Sequence, residues 1–182
     1  MKIIVAVTAA SGAIYAQQLL DTLTTHAEVE RIALICSDNA VGVIKHEGVT
    51  LPESERIVRY LNDDMWSSVA SGSACWDAMI VVPASMGTVG RIASGVSQSL
   101  IERAADVMLK ERRRLVLVVR EAPYSLIHLR NMTTITEAGG VIIPASPSFY
   151  FNPQNIESLT LSISTRAVKM LGLKVDHQRW GE

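Results

Sequence analysis

Residues 1–20 read MKIIVAVTAASGAIYAQQLL, and the order of residue types in that stretch decides the fold. Lys2 is followed by an unbroken apolar run at 3–7, the pattern of a strand buried on both faces. Small residues then fill positions 8–13, TAASGA. Over 13–24 apolar residues recur at helical spacing, at Ile14, Leu19, Leu20 and Leu23. A helix N-terminus offers free backbone N–H groups and a partial positive charge. The small-residue turn is therefore either a plain strand-to-helix connection capped by Ser11 or an anion-binding loop. It is not GxGxxG, and it lacks the lysine of a P-loop.

The same alternation continues outward from that stretch. Apolar runs at 31–36, 78–82, 115–119 and 141–143 predict four more strands. Helical spacing predicts helices over 39–45, 54–61, 87–93, 100–110, 125–137 and 156–171. Strands that read as runs and alternate with helices predict a parallel sheet with helices on both faces. The expected fold is thus α/β, a three-layer Rossmann-like (flavodoxin-like) sheet, and the whole of 1–182 reads as one domain. Ligands in such folds collect at the carboxyl ends of the strands. The polar segment 63–73, which contains SSVASGS, is expected to form a lid or part of a partner interface.

Composition narrows the function classes. The 182 residues are 48% hydrophobic and 19% charged, as in a globular chain. A net charge of -1 favours neither nucleic acid nor a membrane surface as partner. No apolar run approaches the roughly 20 residues of a membrane span, and the immediate start of a strand argues against a signal peptide. Cys36 and Cys75 lack metal-ligand spacing and are expected as reduced, buried thiols in the cytoplasm. His26, His46, His128 and His177 show no metal-site spacing, and no metal is expected.

The strand ends carry the candidate chemistry. Ser37 follows the second strand. PASMGT at 83–88 supplies Ser85, Gly87 and Thr88, and REAP at 120–123 supplies Arg120 and Glu121. Each is singly an ordinary turn; together they bring small or charged groups to one sheet edge and suit a phosphate-bearing planar cofactor. Arg103, Asp106 and Lys110 share a helix face at i, i+3, i+7, which on spacing alone also fits a solvated face with an internal ion pair. Glu102, Glu111, Arg112, Arg113 and Arg114 read as ordinary surface charges.

Four blocks carry a family resemblance: ASGAIYAQQLL, PASMGT, LIERAADVMLKERRRLVLVVREAPYSLIHLRNM and GGVIIPASPSFYFNPQNIESL. Together they resemble the UbiX-type flavin prenyltransferases over almost the whole chain. Broader relatives are the flavin-dependent cysteine decarboxylases, which typically carry a catalytic histidine in the first helix and a PASANT-type loop. Here the first helix has Tyr15 and the loop reads PASMGT. The family often has glycine at Ala9, cysteine at Ala84 and lysine at Asp38; the last swap alters local charge.

The resemblance implies an enzyme that binds FMN, uses its reduced form as prenyl acceptor and needs no metal. It implies transfer of a dimethylallyl group from dimethylallyl monophosphate to N5 and C6, giving prenylated FMN for a UbiD-type decarboxylase. It also implies a homo-dodecamer with active sites between subunits. By match to family positions, Ala9, Ala10, Ser11, Ser37, Ser85, Met86, Gly87, Thr88 and Arg120 bind the flavin. Arg103, Lys110, Tyr150, Arg166 and Trp180 take the prenyl donor. Glu47, Lys110, Glu121 and Ser11 are the catalytic candidates, and a C-terminal segment of about 172–182 closes the site. The chemistry suits these types: metal-free loss of phosphate needs preorganised cations and O–H donors, aromatic faces stabilise an allylic cation, and paired acids move protons. A cysteine decarboxylase, disfavoured by the missing histidine, and an FMN carrier remain the alternatives.

Overall fold

The first strand explains the architecture. Ile3, Val5 and Val7 pack into one apolar cluster and Ile4 and Ala6 into another, so a strand without a polar side chain between Lys2 and Thr8 suits only the middle of a sheet covered on both sides. A computed structural model describes residues 1–175 and places this strand, β1 (Lys2–Val7), at the centre of six. The others are β2 (Arg31–Cys36), β3 (Ile57–Tyr60), β4 (Ala78–Ala84), β5 (Arg114–Val119) and β6 (Val141–Pro144). All pair in parallel, in the order β3-β2-β1-β4-β5-β6. Helices α1 (Ala13–Thr25), α2 (Asp38–His46) and α6 (Ile156–Met170) cover one face. Helices α3 (Met86–Ala93), α4 (Leu100–Lys110) and α5 (Leu126–Glu137) cover the other. Among the described residues no helix is long and apolar enough to cross a membrane.

The helix expected over 54–61 is instead the edge strand β3. Ile57, Val58 and Tyr60 are β-branched or aromatic and fit a pleated, half-covered surface. They pair in register with Ile32, Ala33 and Ile35, so β2 does not end the sheet. The five expected strands alone have the flavodoxin order 2-1-3-4-5; β3 extends it to 3-2-1-4-5-6, the order of the doubly wound dinucleotide-binding fold. In both, the order reverses beside β1.

That switch point is stitched by one side chain. Thr8, 1% exposed, donates from Oγ1 to the Pro83 carbonyl (2.8 Å) and accepts there from the Ser85 N–H (2.8 Å). Its own N–H also donates to the Pro83 carbonyl (3.3 Å). Pro83 has no N–H for the ladder, and the β4–β5 register shifts between Val81 and Ala84. Thr8 thus ties the loops after β1 and β4 where the pairing is irregular. Thr8→Val, which keeps the shape and removes the hydroxyl, is expected to lower unfolding free energy by about 1–3 kcal/mol, read from urea denaturation.

The segment 61–75 is bound to α4. The Asn62 carbonyl and its Oδ1 accept from Leu100 N (2.7 Å) and Ile101 N (3.2 Å) at the start of α4. Val69 is fully buried, and the Ala70 and Gly72 carbonyls accept from Arg103 Nε (3.1 Å) and Arg113 Nη2 (2.8 Å). Trp66 stands out from this anchored segment, 99% exposed.

Candidate active site

The loops after β1, β2, β4 and β5 meet at the carboxyl edge of the sheet. In the first, Ala10 is buried, Ala9 half-buried and Ser11 exposed. Gly12 takes φ 110, and a Cβ there would lie 2.7 Å from Tyr15 Cδ2, so only glycine makes the turn into α1 without strain. The α1 N-terminus is already occupied by an anion. Glu47, at the end of α2, accepts from Gly12 N (3.0 and 3.1 Å) and Ala13 N (2.7 Å). Burial pushes the Glu47 carboxyl up. Hydrogen bonds from Ser11, Ala13 and Gly12 and the charge of Arg120 outweigh that and hold it below the usual carboxylate range. The anion-loop reading of TAASGA is therefore right about the electrostatics, and the anion it holds is the protein's own side chain.

The other loops keep open groups. Ser37 is half-buried before α2 and makes no side-chain bond to the first turn of that helix. Ser85 caps α3 and pairs with Thr88 (Oγ to Oγ1, 3.1 Å); Met86 and Thr88 are buried beside it, and Gly87 is exposed. Arg120 follows β5, and its Nε is buried with no partner among the described residues. An unpaired buried N–H is costly, and a ligand acceptor removes the cost. Small side chains, open serine hydroxyls and this orphaned guanidinium N–H fit a phosphate-bearing planar group. Glu121 lies at the same edge, its Oε1 accepting from Ala122 N (3.0 Å). Among the described residues no cluster of His, Cys, Asp and Glu could hold a metal.

The expected donor-binding cations are not gathered by one chain. Lys110 ends α4, just before β5, whereas Arg120 follows β5. Six residues of strand separate the two edges by roughly 20 Å. Lys110 pairs with Glu111, and Arg103 with Asp106 (2.7 Å), the internal ion pair that the spacing allowed. Arg166 sits, exposed, on α6 in the opposite layer, ten residues from the start of that helix and so roughly 15 Å below the cleft edge. Tyr150, in the β6–α6 loop, is 57% exposed and stacks edge-on against Phe151. Trp180 and the end of the closing segment, residues 176–182, lie outside the described residues.

Three readings of the sequence need correcting. Glu102 is not an ordinary surface charge: it is 4% exposed, pairs with Arg91, and accepts from Gln98 N (3.0 Å) and Ser99 N (3.1 Å). The S-x-x-E spacing of Ser99 and Glu102 was the available signal, since it is that of a capping box. Arg113 is also engaged, on the Gly72 carbonyl. Cys75 is exposed rather than buried, and only Cys36, whose thiol burial pushes up, is partly covered. Thr8 and Arg91 were missed, and nothing in a single sequence marks either.

Fold and cleft together define a flavoprotein of the three-layer α/β class. Residues 1–167 match the family model described as Flavoprotein. The chain belongs to that family and, within it, to the UbiX flavin prenyltransferases. It is 42% identical to the flavin prenyltransferase UbiX of Methanocaldococcus jannaschii, over 100% of this chain and 99% of that one. A UbiX protein solved in complex with FMN and dimethylallyl pyrophosphate superposes with a TM-score of 0.92 at 43% identity, covering 100% of this chain and 97% of that one. A dodecameric FMN-dependent UbiX-like decarboxylase from Escherichia coli O157:H7 superposes with a TM-score of 0.92 at 36% identity, covering 100% of each.

Proposed function

We propose that this chain is a flavin prenyltransferase, transferring a dimethylallyl group from dimethylallyl monophosphate to N5 and C6 of reduced FMN. The prenylated FMN is handed to a UbiD-type decarboxylase. The observation that carries the reading is the cleft at the switch point, with its orphaned Arg120 Nε among small side chains and open hydroxyls. Its likeness to a UbiX protein that holds FMN and a prenyl phosphate supports the same reading. The absence of a histidine from α1, which carries the buried Tyr15 instead, argues against that alternative.

In this reading Ala9, Ala10, Ser11, Ser85, Met86, Gly87 and Thr88 line the flavin site. Ser37 and Arg120 take its charged end, because Glu47 already fills the α1 N-terminus. Reduced flavin supplies the nucleophilic nitrogen and a π face. Arg103, Lys110 and Arg166 neutralise the departing phosphate and Tyr150 donates an O–H to it. Trp180 stays a donor-site candidate by family resemblance alone, outside the described residues. Glu47, linked to Ser11, and Glu121 handle the proton at C6.

The cations on opposite layers serve clefts of neighbouring copies, so the site is complete only in an oligomer. The dodecameric relative supports twelve subunits. So do large apolar side chains left in the open: Trp66 (99%), Leu61 (74%), Phe149 (71%) and Ile127 (68%). Two free thiols and a reduced acceptor support a cytoplasmic setting. The whole of 1–182 acts as one flavoprotein domain.

Anaerobic incubation of the purified protein with reduced FMN and dimethylallyl monophosphate, followed by mass spectrometry, tests this. A flavin heavier by one C5H8 unit, with phosphate released, is the expected result. Unchanged FMN on folded, flavin-loaded protein overturns it, and carbon dioxide released from a cysteine-terminated peptide would put the decarboxylase in its place.

A further inference from the structure

Behind Thr88 of the cleft lies an ion pair that the reaction scheme does not use: its glutamate is buried, and its arginine side chain is 48% exposed. Glu102 is 4% exposed at the first turn of α4. One carboxylate oxygen accepts from Arg91 Nε, and the other from Gln98 N (3.0 Å) and Ser99 N (3.1 Å). Arg91, in the last turn of α3, is thereby pinned, and its Nη2 donates to Thr88 Oγ1 (3.3 Å). The guanidinium lies along the start of α3: a Cβ on Gly87 would stand 3.3 Å from Arg91 Nη1.

The direction of the next bonds follows from donor and acceptor counting. Thr88 is 3% exposed, so its hydroxyl proton needs an acceptor inside the protein. Its oxygen already accepts from Arg91, and Ser85 Oγ, 3.1 Å away, is its hydrogen-bond partner on the other side. Ser85 Oγ therefore accepts from Thr88 Oγ1 and, at 3.5 Å, from Thr88 N. The Ser85 proton then has no acceptor among the described residues. The serine backbone is fixed separately, through its N–H on Thr8.

We propose that Arg91 and Glu102 are positioning residues for the flavin: acting through Thr88, they set the Ser85 hydroxyl as a hydrogen-bond donor to the bound ring. The inference rests on the flavin-binding reading of the cleft. Charge at the guanidinium polarises the chain toward the cleft, which strengthens the final donor. A donor held in place before binding spares the ligand the cost of ordering it. It also favours the electron-rich reduced flavin over the oxidised form, the state in which the acceptor reacts.

Arg91→Lys and Thr88→Val test this in the assembled full-length protein. Lysine can keep the ion pair with Glu102 but lacks the fork that also reaches Thr88; valine keeps the shape of threonine and removes the hydroxyl. Each is expected to raise the FMN dissociation constant about five- to tenfold, by titration, and to lower the flavin midpoint potential. The melting temperature of the apoprotein with Arg91→Lys should stay near wild type, a readout that separates positioning from mere stability. The double variant should bind FMN no more weakly than Thr88→Val alone, because both act on one chain. Wild-type affinity and potential in both single variants overturn the inference and leave the flavin reading intact, and fully additive losses overturn it as well. A wild-type protein that binds no FMN overturns both.

Discussion

Replacing Lys110 by alanine is expected to slow prenyl transfer about 10²–10³-fold while FMN still binds. The reason is positional. In its own chain Lys110 lies at the edge of the sheet opposite the cleft, paired with Glu111, whose carboxyl its hydrogen bond and charge hold below the usual range. On the shared-site proposal, removing it leaves that chain's flavin loops untouched and strips a cation from a neighbour's site. Mixed oligomers give the decisive readout. Lys110→Ala chains keep a sound cleft, and Arg120→Ala chains keep a sound lysine, so each is inactive alone. If a site takes its cleft from one copy and its lysine from another, random co-assembly in equal amounts restores about a quarter of the sites. A mixture no more active than its parents would sink the shared-site reading, whatever the single-variant rates.

Glu47→Gln is the second large effect. As a proton-handling group its loss is expected to cost about 10²–10⁴-fold in transfer rate, with about 1 kcal/mol of stability from the weakened cap on α1. A pH signature separates the two roles. Its pKa is lower in the folded protein than in the unfolded chain, because the bonds from Ser11, Ala13 and Gly12 and the charge of Arg120 outweigh the effect of burial. Its contribution to stability is therefore present above the ordinary carboxylate range and lost as pH falls through the lowered value. The stability of wild type, read from urea denaturation, should fall as pH drops from about 5 toward 3. In Glu47→Gln that part of the slope should vanish, while the rate loss persists at pH 7. An unchanged acid slope would remove Glu47 from the α1 cap as an electrostatic element.

Particular residues show why some of this was legible. Strands β1, β2, β4 and β5 are buried on both faces, so their chemistry has no alternation to hide in and reads as runs. Strand β3 is short and at the edge, with Arg59 exposed between half-buried neighbours. Nothing local separates such a segment from a helix turn, and pairing with β2 decides it. Family positions likewise identified residues by type but not by chain. Lys110, Arg103 and Arg166 look in sequence like one set of cations; helix direction and layer put them on different faces.

The sequence by itself determined that this is a parallel α/β protein whose strand ends carry its chemistry, because periodicity and small-residue turns are local and survive in one dimension. It also placed the candidate flavin loops at one sheet edge, since Ser37, Ser85 and Arg120 each follow a strand directly. Only the tertiary structure decided that Glu47, 35 residues along the chain from Gly12, fills the α1 N-terminus. It alone turned Glu102 from a surface charge into a buried anchor for Arg91, and it alone separated the cleft from the cations. Each of these depends on which distant groups share a distance of about 3 Å, and sequence spacing carries no information about that once the intervening chain has folded back.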